Sequence, residues 1–283
     1  MLGLFLSEET GFFLMNIKKE YFMKTKQTIV CGIFAIILAL IFTACPKFGT
    51  GGDEETSGSG TYDGFTYDYD SSSLTITGYN KKISEGVLSI PEKIDGKPVT
   101  AIGDKAFQNK GLTGITIGSS VTDIGVRAFY SNELTDIIIP NDVAAIGDKA
   151  FSENQLTSAK IGNSVTTIGN DAFSNNQLTS VTIGNSVETI GENAFRNNGL
   201  TEITIPNSVK TIYGRAFYEN PITSVTIGAN VDLNTYNELG DKYTVFPEKS
   251  SFDDEYDTNQ NKAAGTYTYT LDDVTDDWNW IKS

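Results

Sequence analysis

Apolar positions recur along most of this chain at a fixed interval of 22 residues. Ile102, Ile124, Ile146, Ile168, Ile190 and Ile212 form one column, and Phe107, Phe129, Phe151, Phe173, Phe195 and Phe217 form another. The same interval links Ala106 through to Ala216, Leu112 to Leu200 with Ile222 closing the series, Ile117 to Ile227, and Val121 to Val231. A strict period of this length marks a solenoid, in which each unit buries its apolar residues only against its neighbours. Six units run from Ile102 to about Leu233.

Within one unit the period changes. Leu178-Thr179-Ser180-Val181-Thr182-Ile183 ends in alternation, which places Val181 and Ile183 inward and Ser180 and Thr182 outward on a short half-buried strand. Stacked at about 4.8 Å, such strands make a parallel sheet on one face. Val187, Ile190, Ala194 and Phe195 follow at intervals of three, four and one. That spacing predicts an irregular, 3-10 or short helical return segment rather than a second strand. The fold class read from the pattern is therefore a repeat solenoid with a 22-residue period, short parallel strands on one face, and β-rich caps at both ends.

Three polar columns read as structural. Asn132, Asn154, Asn176, Asn198 and Asn220 precede the strands, where a buried amide can bond turn backbone. Gly103 to Gly191 mark a turn that a side chain would resist, with Tyr213 breaking the column. Thr113 through Thr223 form a threonine ladder of the kind that supports sheets.

Written as L-x-x-I-x-I-G/P-x-x-V-x-x-I-G-x-x-A-F-x-x-N, these columns closely resemble the BspA-like, Treponema-type leucine-rich repeat over residues 87–233. The segment from Val87 to Thr100 resembles that family's longer first repeat. Lys110 in place of the first asparagine, Ala159 in a strand and Pro221 before the last strand depart from the pattern. The resemblance implies a leucine-rich repeat scaffold. It also implies a surface protein of the kind implicated in attachment to host matrix proteins, host cells and other bacteria.

The flanks read differently. Met23-Lys24-Thr25-Lys26, an apolar run from Thr28 to Phe42 and then Thr43-Ala44-Cys45 resemble a bacterial lipoprotein signal at residues 23–44. The run is short for a membrane span. The resemblance implies cleavage before Cys45 and lipid attachment to its sulfur. Residues 1–22 do not fit that scheme and read as sequence upstream of a start at Met23. Residues 45–60 are rich in glycine, serine and acid and read as a flexible tether of about 20 Å. Residues 61–100 hold an N-terminal cap, with a hairpin across Phe65–Tyr69 and Leu74–Thr77, and the irregular first repeat. The repeats fill residues 101–233. Residues 234–283 read as an acidic cap region whose alternating Thr266–Leu271 segment precedes Trp278 and Trp280.

Composition narrows the chemistry. The 283 residues carry a formal charge of −15 and no histidine. Starting at Cys45 removes four lysines and three glutamates, so the charge becomes −16. This acidity disfavours contact with nucleic acid phosphates. The chain lacks the commonest proton shuttle and metal ligand. Both cysteines, Cys31 and Cys45, lie in the leader region, and neither a G-x-S-x-G motif nor a phosphate loop occurs. The chain reads as non-enzymatic, with no cofactor and no metal. The acids of Asp253–Asp257 and Asp272–Asp277 lack the order of a calcium loop and read as a solvated face.

Function is therefore sought on the outward strand columns. One runs Gly114, Asp136, Ser158, Ser180, Glu202, Ser224, and the other runs Thr116, Ile138, Lys160, Thr182, Thr204, Thr226. Against that hydroxyl background Asp136, Ile138, Lys160 and Glu202 are the candidate partner-binding residues. Tyr130, Arg196 and Tyr218 share a variable column on the return side. The reading is a lipid-anchored, exported protein of the outer membrane or cell surface whose partners are extracellular host or bacterial proteins. A periplasm-facing scaffold or polysaccharide-binding lipoprotein is the alternative.

Overall fold

Many backbone amides of the repeats donate to a neighbouring coil, and the architecture follows from that constraint. The computed structural model describes residues 57–83, 86–234, 245–246, 264–271 and 278–282. All of them fall in the unit Glu55–Ser283. The proposed leader, Cys45 and the acidic stretches 253–257 and 272–277 lie outside the described residues.

A three-stranded antiparallel cap opens the fold: β1 (Gly58–Tyr62), β2 (Phe65–Tyr69) and β3 (Leu74–Tyr79). Then come β4 (Val87–Ser89), β5 (Lys93–Ile94) and β6 (Lys97–Ile102); β6 pairs with both β5 and β3. From there every coil carries two short strands. The front strands are β7 (Gly114–Thr116), β9 (Asp136–Ile138), β11 (Ser158–Lys160), β13 (Ser180–Thr182), β15 (Glu202–Thr204) and β17 (Ser224–Ile227). The return strands are β8 (Asp123–Ile124), β10 (Ala145–Ile146), β12 (Thr167–Ile168), β14 (Thr189–Ile190), β16 (Thr211–Tyr213) and β18 (Asp232–Asn234). The return strands pair in parallel and continue the antiparallel cap into one sheet, from β1 to β18. The hairpin of β19 (Gly265–Leu271) and β20 (Trp278–Lys282) adds antiparallel to β17 and covers the front edge.

The solenoid, its register and its β-rich caps agree with the 22-residue pattern. The return side holds more order than its spacing revealed. Thr189 and Ile190 are strand residues, and no helix occurs among the described residues. After the strand, Ala194 and Arg196 close successive turns onto Gly191 and Asn193. Between them Phe195 N–H donates to Ala216 C=O, and Asn197 N–H donates to Tyr218 C=O. Alternate amides therefore point along the stacking axis instead of back down a helix. Left-handed residues make this possible: Asn193 and Asn197 have φ of 56°, and their equivalents Asp171 and Asn175 have 54°.

Side chains repeat the same logic. Asn154 Oδ1 accepts from Leu134 N–H, and its Nδ2 donates to the carbonyls of Phe129 and Phe151. Asn132, Asn176, Asn198 and Asn220 make the equivalent bonds. Each amide thus ties together turn backbone of two neighbouring coils that would otherwise be buried without partners. The phenylalanine column is a stack of near-parallel rings 5.1–5.3 Å apart, from Phe107 to Phe217. Phe65 closes one end edge-on at 6.3 Å, and Phe246 continues the other at 5.3 Å.

Two glycine readings are corrected. Gly125, Gly147, Gly169 and Gly191 are absent from the positive-φ residues, so no unusual turn demands them. A Cβ on Gly169 would lie 2.7 Å from Asp148 N and Gly147 C, so the column is set by how closely coils stack. At the cap, Gly58 and Gly60 belong to a paired strand instead of the tether. The Tyr69 and Tyr67 side chains lie across them, 2.7 Å and 2.6 Å from where a Cβ would stand.

Gly169→Ala should therefore lower stability by roughly 1–3 kcal/mol, as overpacking against backbone does. Asn154→Ala should cost about 2–4 kcal/mol by orphaning several buried backbone groups. Urea-unfolding midpoints of the two variants and the parent check both values.

Candidate functional site: the front strand face

The front face is exposed along two columns, and register fixes which side chains meet. Asp136 lies beside Ser158, and Ile138 beside Lys160, in the β9–β11 pair. Asp136 Oδ1 accepts a 2.6 Å bond from the Ser158 hydroxyl. Ile138 is 69% exposed, the most exposed of the large apolar residues described. Glu202 stands in the same column as Asp136 but on β15, beside Ser224. Three coils separate them, at least about 14 Å, since the step from β13 to β15 is not a hydrogen-bonded one. Asp136, Ile138 and Lys160 are thus brought together, whereas Glu202 is set apart.

The front face is not one sheet. Its hydrogen-bonded ladders are β4–β7, β9–β11–β13 and β15–β17–β19–β20. Ile139 N–H donates to Lys160 C=O and Ile161 N–H to Thr182 C=O, but no equivalent bond links Ile117 to Ile138 or Ile183 to Thr204 among the described residues. The threonine ladder stops at the same places: Thr157 and Thr179 each donate to the preceding threonine's carbonyl, as does Thr223 to Thr201. Ile115 and Val181, the inward residues just before each interruption, are only partly buried.

Proline explains both interruptions. The corner after each front strand is Gly162 or Gly184 inside the middle ladder. A Cβ on Gly162 would lie 2.1 Å from Pro140 O, and one on Gly184 2.1 Å from Gly162 O. The corner admits no side-chain atom in the middle ladder, whereas a Cβ on Gly118 or Gly228, in the two other paired ladders, would lie 3.4 Å or 3.0 Å from its nearest neighbour. Pro140 and Pro206 occupy it in the coils of β9 and β15, the first coil after each interruption. Their rings prevent the close approach, so those coils stand off on the front side while the return ladder stays paired. At the first interruption the result is a groove of about 360 Å³ lined by Ile115, Ile117, Ile137, Ile138, Pro140 and Asp136. Sequence reasoning placed Asp136 and Ile138 on the face but missed the groove. The G/P alternation at the corner was its signal.

The return-side candidates are already engaged. Arg196 donates to Glu219 through Nε and Nη2 at 3.2 and 3.0 Å, and its guanidinium lies 5.7 Å from the Tyr218 ring. Arg127 lies 5.9 Å from the Tyr130 ring, and a hydrogen bond to Glu153 raises the Tyr130 pKa. Burial raises the Asp171 pKa, with Lys149 and Arg196 opposing it. These groups form a self-satisfied lattice, and the two most exposed large apolar side chains among the described residues, Ile138 and Val87, lie on front strands.

The fold and its repeats define a leucine-rich repeat protein. Residues 79–199 and 172–238 match the BspA type leucine rich repeat region, and the chain belongs to that family. Among solved structures it is similar to the Treponema pallidum leucine rich repeat protein (25% identity, TM-score 0.51, covering 70% of this chain and 84% of that one). It also resembles the pneumococcal vaccine antigen PcpA (24%, TM-score 0.53, 61% and 50%). A third likeness is to a leucine rich cell surface protein of Faecalibacterium prausnitzii (28%, TM-score 0.47, 60% and 54%). The chain spans about half the length of the last two. No protein of curated function matches it. The relatives are repeat scaffolds rather than a catalytic class. No helix among the described residues is long and apolar enough to cross a membrane.

Asp171→Asn should raise the unfolding midpoint at pH 7, because it removes a charge that burial disfavours and suits the left-handed φ of 54°. The folded pKa is raised, so the penalty exists above it and fades as pH falls towards the unfolded value. The advantage of the variant should accordingly shrink between pH 7 and pH 3, as paired thermal melts will show.

Proposed function

We propose that this protein is a non-enzymatic, cell-surface binding protein, an adhesin-like lipoprotein that holds host or bacterial proteins through its front strand face. The observation that carries the reading is Ile138, 69% exposed beside Asp136 and Lys160 on a face whose outward columns are mostly serine and threonine. A large exposed apolar side chain flanked by charges is the composition of an anchor in a protein interface. Membership of the repeat family supports a surface role, since a solenoid works through the face it exposes. In this reading Cys45 carries the lipid, and the exported domain faces outward.

A second reading, a periplasm-facing glycan binder, is favoured by a cleft of about 350 Å³ in the cap. Tyr67, Tyr69, Asp95 and Lys97 line it. Aromatic faces beside hydrogen-bonding groups are what a sugar ring requires.

Protease treatment of intact cells separates the two. Loss of the protein, with a periplasmic control intact, is the expected result; a band cut only after lysis sinks the surface reading. Replacing Asp136, Ile138, Lys160 and Glu202 together should then abolish at least nine-tenths of saturable binding to matrix proteins without lowering the melting midpoint. Full binding by the folded variant would move the site off this face.

A further inference from the structure

The two interruptions of the front ladder share more than a proline. Thr135-Asp136-Ile137-Ile138-Ile139-Pro140 and Thr201-Glu202-Ile203-Thr204-Ile205-Pro206 carry the same arrangement: an acid at the first outward strand position and proline at the corner. Among front-face positions of the six coils, acids occur only in these two coils, Asp136 and Glu202. Each acid therefore stands on the first strand after a ladder break, where main-chain groups of the facing strands are left without a ladder. Ser158 and Ser180 lie between them in the same column. The track thus reads acid, hydroxyl, hydroxyl, acid, with the apolar groove of Ile115, Ile117 and Ile138 opening beside its first member.

We infer that this track binds an extended, basic protein segment lying along the solenoid axis, with two cationic side chains four residues apart meeting Asp136 and Glu202. Three coil steps, one of them the unpaired β13–β15 step, make at least about 14 Å, and four residues of extended chain span about 13 Å with their side chains on one face, a difference that long lysine side chains take up. Charge selects the occupant. The protein's formal charge is −15, so a cationic partner is drawn to it and an acidic one repelled. The groove takes an aliphatic side chain beside the first cation. Lys160 lies in the neighbouring column, beside Ile138, and sets the side on which the basic chain cannot spread.

This inference rests on the front face being the binding surface and adds the chemistry of its partner. The test is fluorescence anisotropy with the full chain and a labelled peptide, Val-Thr-Lys-Thr-Thr-Thr-Lys-Thr-Val, whose end valines share a face with both lysines. Its companions are the same peptide with glutamate for both lysines and one with the lysines two residues apart. Saturable binding of the first is expected, at least tenfold tighter than of either companion. D136N combined with E202Q should weaken it at least tenfold. P140G should let β7 and β9 approach and weaken it at least fivefold, while its melting midpoint stays the same or rises.

The last variant separates the groove from charge alone. Equal affinity for both lysine spacings, unchanged binding by P140G, or no binding of the basic peptide would overturn the inference. If the basic peptide fails but the fourfold variant still loses matrix-protein binding, the surface reading stands and only the partner chemistry falls. If that variant keeps its binding, the surface reading itself falls.

Discussion

The spacing between coils is the constraint on which this structure depends. Peptide hydrogen bonds along the solenoid axis hold neighbouring chains at about 4.8 Å, and every repeated column is a solution to that distance. Phenylalanine rings accept it by stacking nearly parallel at 5.1–5.3 Å. Asparagine accepts it because one amide reaches carbonyls on its own and the preceding coil while receiving an amide N–H from the latter. Glycine is required wherever two backbones come closer than a Cβ permits, as at Gly162 and Gly169. Where proline takes that place the hydrogen bonds of the front ladder are given up, and the chain gains a groove.

Because the return ladder is unbroken from β6 to β18, the stand-off at Pro140 and Pro206 is confined to one side. The molecule is a continuous spine with a segmented face. Rigidity and specialisation are thereby separated: asparagines and phenylalanines hold the spine, and the face can change by single residues without loss of register. The ends obey the same rule. Phe65 meets the first ring of the stack edge-on, Phe246 extends its last, and β19 pairs with β17 along the open front edge. Covering that edge limits the strand-to-strand association that exposed ladders invite.

Much of this was legible in the amino-acid sequence, because a repeat displays its own constraints. The columns of Ile102, Phe107 and Leu112 place the core, and Asn132 and its equivalents reveal a polar ladder, without reference to any coordinate. The features that were not legible are those in which backbone geometry outweighs side-chain pattern. Thr189 and Ile190 are too short a strand to alternate, and their pairing is visible only in the stacked coils. Gly58 and Gly60 look like linker residues until the tyrosines lying over them are seen. Phe246 continues the ring stack, but it comes after Phe217 by more than one period and so falls out of the column.

The site shows the same division. Asp136, Ile138 and Lys160 could be picked out as departures from a serine and threonine background, and the register does place them side by side. Glu202 could be picked out too, yet its relation to Asp136 is of another kind. The two acids are linked through Pro140 and Pro206, each four residues beyond its acid in the same coil. A column read down the repeats treats glycine and proline at that corner as interchangeable turn residues. In the stacked molecule they are opposites, one permitting an approach that leaves a Cβ only 2.1 Å and the other forbidding it. Binding surface on such a scaffold is thus created by losing an internal hydrogen-bonded contact as well as by adding a side chain.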